Sequence, residues 1–180
     1  MPNWVTTRCT VTGPSREVED FWEKMAVCDA HGILNFDFKQ IVPFPETVAQ
    51  VSEEGEIVHE LPDVAGHAGG VRHESWDDWG KRNWGTKWNS RALDVISEDP
   101  LQFRFDTALS FPTKIFEALA RRYPTLRFEC TAIEESEWFG GTGYFNPGTG
   151  DPTYARCEPP IPGLYEAVHG DERPPKGKMR

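Results

Sequence analysis

Apolar and polar residues alternate along several short segments of the chain, and this alternation predicts β-strands with one buried face. Residues 4–12 alternate in this way, as do residues 92–98 and 103–109, with the turn residues Glu98-Asp99-Pro100 between the last two. A period of two places successive side chains on opposite faces of a strand. We therefore expect one strand at the start of the chain and a β-hairpin near its middle.

Two other segments repeat their apolar residues every three or four positions, which is typical of amphipathic helices. The first begins at Ser15, a good N-cap, and its buried stripe is Val18, Phe21, Trp22 and Met25. The second ends at Pro124, and its stripe is Ile115, Phe116, Leu119, Ala120 and Tyr123. A strand over residues 126–132 and a short glycine-rich edge strand within residues 137–148 complete the predicted elements.

The elements follow the order strand, helix, insertion, strand, strand, helix, strand, which predicts the split βαβ or ferredoxin-like arrangement. The expected fold class is α+β, with an antiparallel sheet, two helices on one face and a largely helical or irregular insertion. We expect this domain to cover residues 1–146, with the insertion at about 27–90. Residues 147–180 are rich in Pro, Gly and charge and are expected to form an extended or disordered tail.

The alternation also assigns side chains to the two faces of the sheet. The phenylalanines of the central strands should point to the helices. The other face should then carry mostly polar side chains: Arg8, Thr10, Arg104, Asp106, Arg127, Glu129 and Thr131. Because no phenylalanine is expected on this polar face, the sequence gives no sign of the aromatic sheet surface with which ferredoxin-like domains bind single-stranded RNA.

Five segments in this order resemble one family. They are "MPNWVTTRCTVTGP" at the start, "FDFKQIVPFPE" at 36–46, "NWGTKWN" at 83–89, "FDTALSFP" at 105–112 and "FGG" at 139–141. Together they are similar to the YubB ferredoxin-like domain family, whose members are carried by plasmids and phages. The resemblance spans roughly residues 1–146. It implies the ferredoxin-like fold with a largely helical insertion, and it implies no particular reaction, ligand or catalytic residue.

The net charge of −10 is unevenly distributed. Residues 15–65 contain twelve carboxylates and three basic side chains. Such a field repels nucleic-acid phosphates and attracts basic proteins, so duplex nucleic acid is a disfavoured partner and a basic protein a favoured one. Ordinary solubilising surface charge is the alternative. The four cysteines form no C-x-x-C pair and are expected to be thiols, most of them packed as small hydrophobic side chains.

The segment "WDDWGKRNWGTKWN", residues 76–89, places four tryptophans among polar side chains. Ser75 and Asp78 resemble a capping box, so a short helix should begin at Trp76 and continue toward Lys81 or Asn83. After it, Trp84 and Trp88 are expected to pack the insertion against the sheet. In the alternative, Trp84, Lys87, Trp88 and Asn89 form a stacking and hydrogen-bonding patch for a ligand or a partner.

Three histidines in the acidic, glycine-rich stretch are candidate metal ligands: His59, His67 and His73. Their spacings of eight and six match no helical or zinc-finger pattern. An exposed loop that happens to contain histidines is the competing interpretation. No cofactor is expected.

These observations favour a non-enzymatic accessory protein of a phage or plasmid that binds a protein of the host or of the element, with counter-defence as one such role. The alternatives are a binding module for a ligand or for single-stranded nucleic acid, using the Trp84/Trp88 patch, and a metal-assisted hydrolase centred on the histidines. Neither a membrane span nor a signal peptide is recognisable, so a cytoplasmic location in the bacterial host cell is expected. The oligomeric state stays open.

Overall fold

A computed structural model describes residues 3–44, 48–51, 57–61, 72–74, 76–146 and 153–170. Its main sheet contains six strands: β1 (Trp4–Thr12), β7 (Arg91–Glu98), β8 (Leu101–Ala108), β9 (Arg127–Glu134), β10 (Gly140–Phe145) and β11 (Thr153–Cys157). Their spatial order is β11-β10-β9-β1-β8-β7, and every neighbouring pair is antiparallel. The four strands β9-β1-β8-β7, with their two crossover helices, form the predicted α+β, ferredoxin-like arrangement.

The two crossover helices, α1 (Ser15–Met25) and α3 (Thr113–Arg122), cover the inner face of the sheet. Phe21 and Met25 of α1, and Ile115 and Phe116 of α3, are fully buried. They meet phenylalanines of the central strands, as predicted: the ring centroids of Phe21 and Phe128 lie 5.3 Å apart. Helix α1 begins at Ser15 itself, with Pro14 as its cap and no side-chain cap bond, so the predicted capping role of Ser15 is wrong.

The insertion was expected to be helical or irregular, and this expectation is wrong for much of it. It contains α2 (Trp76–Asn83), as predicted, but also the strand pair β2 (Ala26–Cys28) and β3 (Leu34–Phe36). A second small sheet joins β4 (Val48–Val51), β5 (Ile57–Leu61) and β6 (Arg72–Glu74). These strands have three to five residues, too few for a period of two to stand out among prolines and glycines.

The prediction that the domain ends at 146 and that a loose tail begins at 147 is wrong for residues 153–170. Strand β11 pairs with β10, so β10 is not the edge strand that the sequence indicated. Helix α4 (Leu164–His169) then packs on β9 and β1, with Leu164 and Val168 buried. It lies on the outer face of the sheet, the face opposite to α1 and α3, because Arg8 and Gly140 of that face contact it.

The glycines of β10 explain how this segment joins the fold. A Cβ on Gly140 would lie 2.1 Å from Cδ2 of Leu164, on the outer face. A Cβ on Gly141 would lie 2.6 Å from the ring of Tyr154, on the inner face. Residues from β11 and α4 therefore occupy the space that side chains of β10 would otherwise fill. The ring of Tyr154 also stacks on Phe111 at 4.2 Å, and burial raises the pKa of the Tyr154 hydroxyl.

Candidate functional site

The segment "NWGTKWN" leaves α2 and runs to the start of β7, and its local interactions fix its path. Gly85 adopts a left-handed φ of 82°, and a Cβ there would lie 3.0 Å from the backbone nitrogen of Thr113. Thr86 is buried and donates its hydroxyl to the carbonyl of Ala108 at 2.7 Å. The chain is thus held between the start of α3 and the end of β8. The side chains before and after Gly85 and Thr86 point in different directions.

Trp84 is buried, and Asn89 is partly buried. Trp84 is 5% exposed, and its indole N–H donates to the carbonyl of Val42 at 2.9 Å. Its predicted role of packing the insertion is confirmed. The side-chain oxygen of Asn89 accepts from the backbone N–H groups of Phe38 and Ser90, and its amide nitrogen donates to Asp37 at 2.7 Å. With its polar atoms used in this way, Asn89 ties the insertion to the start of β7.

Trp88 and Lys87 lie at the surface. Trp88 is 40% exposed, so the expectation that it packs the insertion against the sheet as Trp84 does is wrong, and its indole N–H donates to Oδ1 of Asp77 at 2.9 Å. Lys87 forms an ion pair with Oδ2 of the same carboxylate at 2.7 Å, and its Nζ lies 5.0 Å from the centre of the Trp88 ring. One carboxylate therefore fixes both an aromatic and a cationic side chain.

Two residues that the sequence analysis did not single out join this surface. The ring centroids of Trp4 and Trp88 lie 5.9 Å apart with an interplanar angle of 50°. The guanidinium carbon of Arg91 lies 3.2 Å from the centre of the Trp4 ring. Ala92, the next residue, has a φ of 54°, and the pairing of β7 with β8 shifts register between Arg91 and Asp94. We call Trp4, Lys87, Trp88 and Arg91 the tryptophan surface.

A signal for Trp4 was present in the sequence. In β1 the buried residues are Val5, Thr7, Cys9 and Val11, so Trp4 falls in the polar register with Thr6 and Arg8. A large aromatic ring at a position of the exposed register is a candidate contact residue. No comparable signal marked Arg91, because its direction depends on the irregular start of β7.

The electrostatics of Asp77 provide a test of this arrangement. Partial burial by itself would raise the pKa of Asp77, but hydrogen bonds from Lys87 and Trp88 and the charges of Lys87 and Lys81 outweigh it, so the pKa is lowered. A carboxyl group whose pKa is lowered by folding stabilises the protein at pH values above its ordinary pKa of 3.8. This contribution is lost as the pH falls through the lower pKa of the folded state.

We therefore expect the stability difference between the parent and Asp77→Asn to be constant above about pH 5 and to shrink as the pH falls below the ordinary value. Urea unfolding at several pH values measures this difference. Acrylamide quenching of tryptophan fluorescence should rise over the same acidic range as Trp88 loses its partner. A stability difference that stays constant down to the acid transition would show that the carboxylate does not hold Lys87 and Trp88.

The candidate metal ligands are only partly placed. His59 lies on β5 and His73 on β6, opposite Glu74 and Glu60 in the backbone pairing. Their side chains, and the whole of His67, lie outside the described residues. Within the described ranges, no group of three or more His, Cys, Asp or Glu side chains could hold a metal ion.

The cysteines of the described ranges are thiols. Cys9 and Cys130 face each other across β1 and β9, both buried, with their Sγ atoms 3.5 Å apart. Burial raises the pKa of Cys130 well above its ordinary value, so this thiol is unreactive at neutral pH. Cys28, by contrast, is exposed.

Comparison with known proteins supports the fold. A family model described as a ferredoxin-like domain in Api92-like protein matches residues 83–152, from the end of α2 to just before β11. No curated protein and no solved structure gave a match. Among the described residues, no helix is long and apolar enough to cross a membrane.

Proposed function

We propose that this chain is a non-enzymatic accessory protein of a phage or plasmid, and that it acts by binding a protein of the host or of the element through the tryptophan surface. Countering a host defence system is one role of this kind. The proposal concerns recognition, because a ferredoxin-like domain by itself specifies no activity.

The exposed and fixed state of Trp88 is the observation that carries the proposal. Its indole N–H is held by Asp77 at 2.9 Å, and its ring packs beside Trp4, so little rotational freedom is left to lose on binding. Binding hot spots are enriched in Trp and Arg, and they are commonly aromatic anchors that are rigid before the partner arrives. Trp4, Trp88 and Arg91 have this composition.

The net charge of the chain supports a basic partner; the acidic side chains of α1 lie on the other side of the sheet from Trp4 and Arg91, so this charge acts on the encounter and not at the contact. Helix α1 presents Glu19, Asp20 and Glu23 to solvent, and the chain carries a net charge of −10. A field of this sign accelerates the encounter with a positively charged protein and is screened by salt. Association should therefore be faster at low ionic strength, while the aromatic contacts determine how long the complex persists.

The test is a capture experiment with a matched pair of variants. The full chain, immobilised, is expected to retain a protein from host lysate at both low and moderate salt, and Trp88→Ala should lose it. Since Trp88 is 40% exposed, this variant should unfold within about 1 kcal/mol of the parent. Trp138→Ala removes an indole that is 74% exposed in the turn between β9 and β10, and it should keep the partner.

Two results would contradict the proposal. One is retention of the partner by Trp88→Ala. The other is a loss that Trp138→Ala shares, which would indicate general adhesion of exposed indoles rather than a defined surface. The alternative patch that included Trp84 has no exposed ring at that position, because Trp84 is 5% exposed.

A further inference from the structure

Two arginines occupy directly opposite positions on the central strands of the sheet. Arg8 of β1 pairs with Arg104 of β8, and both side chains project from the outer face. Like charges in directly opposite positions destabilise a strand pair unless an acceptor is placed between or beside them. The groups around this pair show what accepts hydrogen bonds from the two guanidinium groups.

The C-terminal end of α4 supplies acceptors to both arginines. Arg8 donates to the carbonyl of Ala167 at 3.4 Å, and Arg104 donates to the carbonyl of His169 at 3.3 Å. The remaining bonds are shorter: Arg8 to Gln102 at 2.7 Å and Arg104 to Asp94 at 2.8 Å. The carbonyls at a helix C-terminus carry partial negative charge. The end of α4 thus occupies a position that suits an anion, and only two long hydrogen bonds join it to the arginines.

Aromatic rings lie on the same face on either side of this arginine pair. Trp4 stands four residues before Arg8 on β1, under the guanidinium of Arg91. Tyr144 of β10 is 37% exposed, and the guanidinium carbon of Arg127 lies 4.5 Å from its ring centre. Tyr144 pairs with Glu129, which pairs with Thr10 of β1. Along the direction of β1, Arg8 therefore lies between Trp4 and the row that contains Tyr144. Six residues of strand, about 20 Å, separate Trp4 from that row.

The strands of the outer face are less acidic than the chain as a whole, although α4 adds the exposed carboxylate of Glu166 to this face. Among the described strand residues that face outward there are four arginines and three carboxylates: Arg8, Arg91, Arg104 and Arg127, with Asp94, Asp106 and Glu129. The acidic side chains of α1 are on the opposite side of the sheet. A polyanion that approaches the outer face therefore avoids most of the negative field that disfavours duplex binding.

From these observations we infer that the outer face binds single-stranded nucleic acid, with a backbone phosphate between Arg8 and Arg104 and unpaired bases on Tyr144 and Trp4. Single strands suit this surface because their bases can stack on aromatic side chains, whereas the bases of a duplex are stacked on each other. In the free protein the carbonyls at the end of α4 occupy the phosphate position, and α4 must shift to admit the strand. This inference is independent of the proposed protein partner, apart from the shared residue Trp4.

Fluorescence anisotropy with fluorescein-labelled oligothymidylate and oligouridylate of about 12 nucleotides tests the inference on the full chain. Affinity should fall steeply with salt. Arg8→Gln and Tyr144→Ala should each weaken binding at least about fivefold. Arg121→Gln removes an exposed arginine of α3, on the other side of the sheet, and should have no effect. Thermal melts of each variant separate loss of binding from loss of folding.

A variant that loosens α4 gives a signature that a merely adhesive surface would not show. Val168 is the fully buried residue of α4 that faces the sheet. Val168→Ala should weaken the packing of α4 on the sheet. Oligonucleotide binding should then be about fivefold tighter, because a larger fraction of molecules is binding-competent. Absence of oligonucleotide binding in both the parent and Val168→Ala would overturn the inference. So would equal affinity for a duplex of the same length.

The two binding hypotheses fail separately. Trp88→Ala should abolish capture of the protein partner and leave oligonucleotide affinity unchanged, whereas Tyr144→Ala should do the reverse. Loss of oligonucleotide binding in Trp88→Ala at unchanged stability, with Arg8→Gln and Tyr144→Ala binding like the parent, would contradict the assignment to the outer face and place the nucleic acid on the tryptophan surface.

Discussion

Removing residues 151–180 should abolish cooperative folding of this domain or lower its stability by at least about 5 kcal/mol. Composition alone gives the opposite expectation, since a tail rich in proline, glycine and charge should be dispensable. The structure overturns that expectation because the removed segment contains β11 and α4, which close the edge of the sheet and part of its outer face.

The size of the effect follows from what the segment buries. Leu164 and Val168 are 3% and 0% exposed, and the ring of Tyr154 stacks on Phe111 within the core. Each such side chain contributes about 1.5–3 kcal/mol by burial. Removal of residues 151–180 would also expose β10, whose glycines at 140, 141 and 143 have no side chains to cover the sheet. The total is comparable with the net stability of a typical domain.

Circular dichroism and urea unfolding measure this effect, and two further chains sharpen it. A chain that ends at Gly170 keeps every contact described for β11 and α4 and should unfold like the parent. Leu164→Ala in the full chain should cost about 2–5 kcal/mol, because its cavity adjoins Gly140, which cannot fill it. A chain ending at residue 150 that unfolds with the parent's midpoint and slope would show that α4 does not pack on the sheet.

The central elements were predictable because their patterns are long. Strand β8 keeps a period of two over its first seven residues, and α3 keeps a helical period over ten, so burial of one face fixes each assignment. Strand β11, "TYARC", has five residues and no apolar alternation, and α4 has six. β11 and α4 are stabilised by packing on β10, where the glycines leave space for Tyr154 and Leu164. The local sequence pattern of β11 and α4 does not show this contact with β10.

The candidate site was predictable only in part, for a related reason. The sequence marked the segment from Trp76 to Asn89 but could not separate its indoles by exposure. Trp79 and Trp84 are 6% and 5% exposed, whereas Trp76 and Trp88 are 49% and 40% exposed. This division depends on where α2 ends and on the left-handed turn at Gly85, which redirects the chain between Trp84 and Trp88. Trp4 and Arg91 reach the same surface from distant positions in the chain.

Replacing Trp84 with Ala should destabilise the domain by about 3–5 kcal/mol, the range for removal of a buried aromatic side chain. The ring lies among other aromatic rings, with its centroid 5.2 Å from that of Trp79 and 5.9 Å from that of Phe38. The variant also leaves the carbonyl of Val42 without its donor, which adds the cost of an unpaired polar group. Because Phe38 belongs to the insertion and also packs on Phe105 of β8, the loss should loosen the insertion from the sheet.

Urea unfolding of Trp84→Ala beside Trp88→Ala tests the division within "NWGTKWN". The two variants remove the same side chain four residues apart, so they differ in burial and not in chemistry. Trp84→Phe, which keeps much of the ring contact but not the N–H donor, should recover part of the loss. If Trp84→Ala and Trp88→Ala cost the same, the segment would be packed uniformly, and the case for a distinct recognition role of Trp88 would be lost. If only Trp84→Ala is costly, the exposed indole of Trp88 is available for a partner at little expense to the fold.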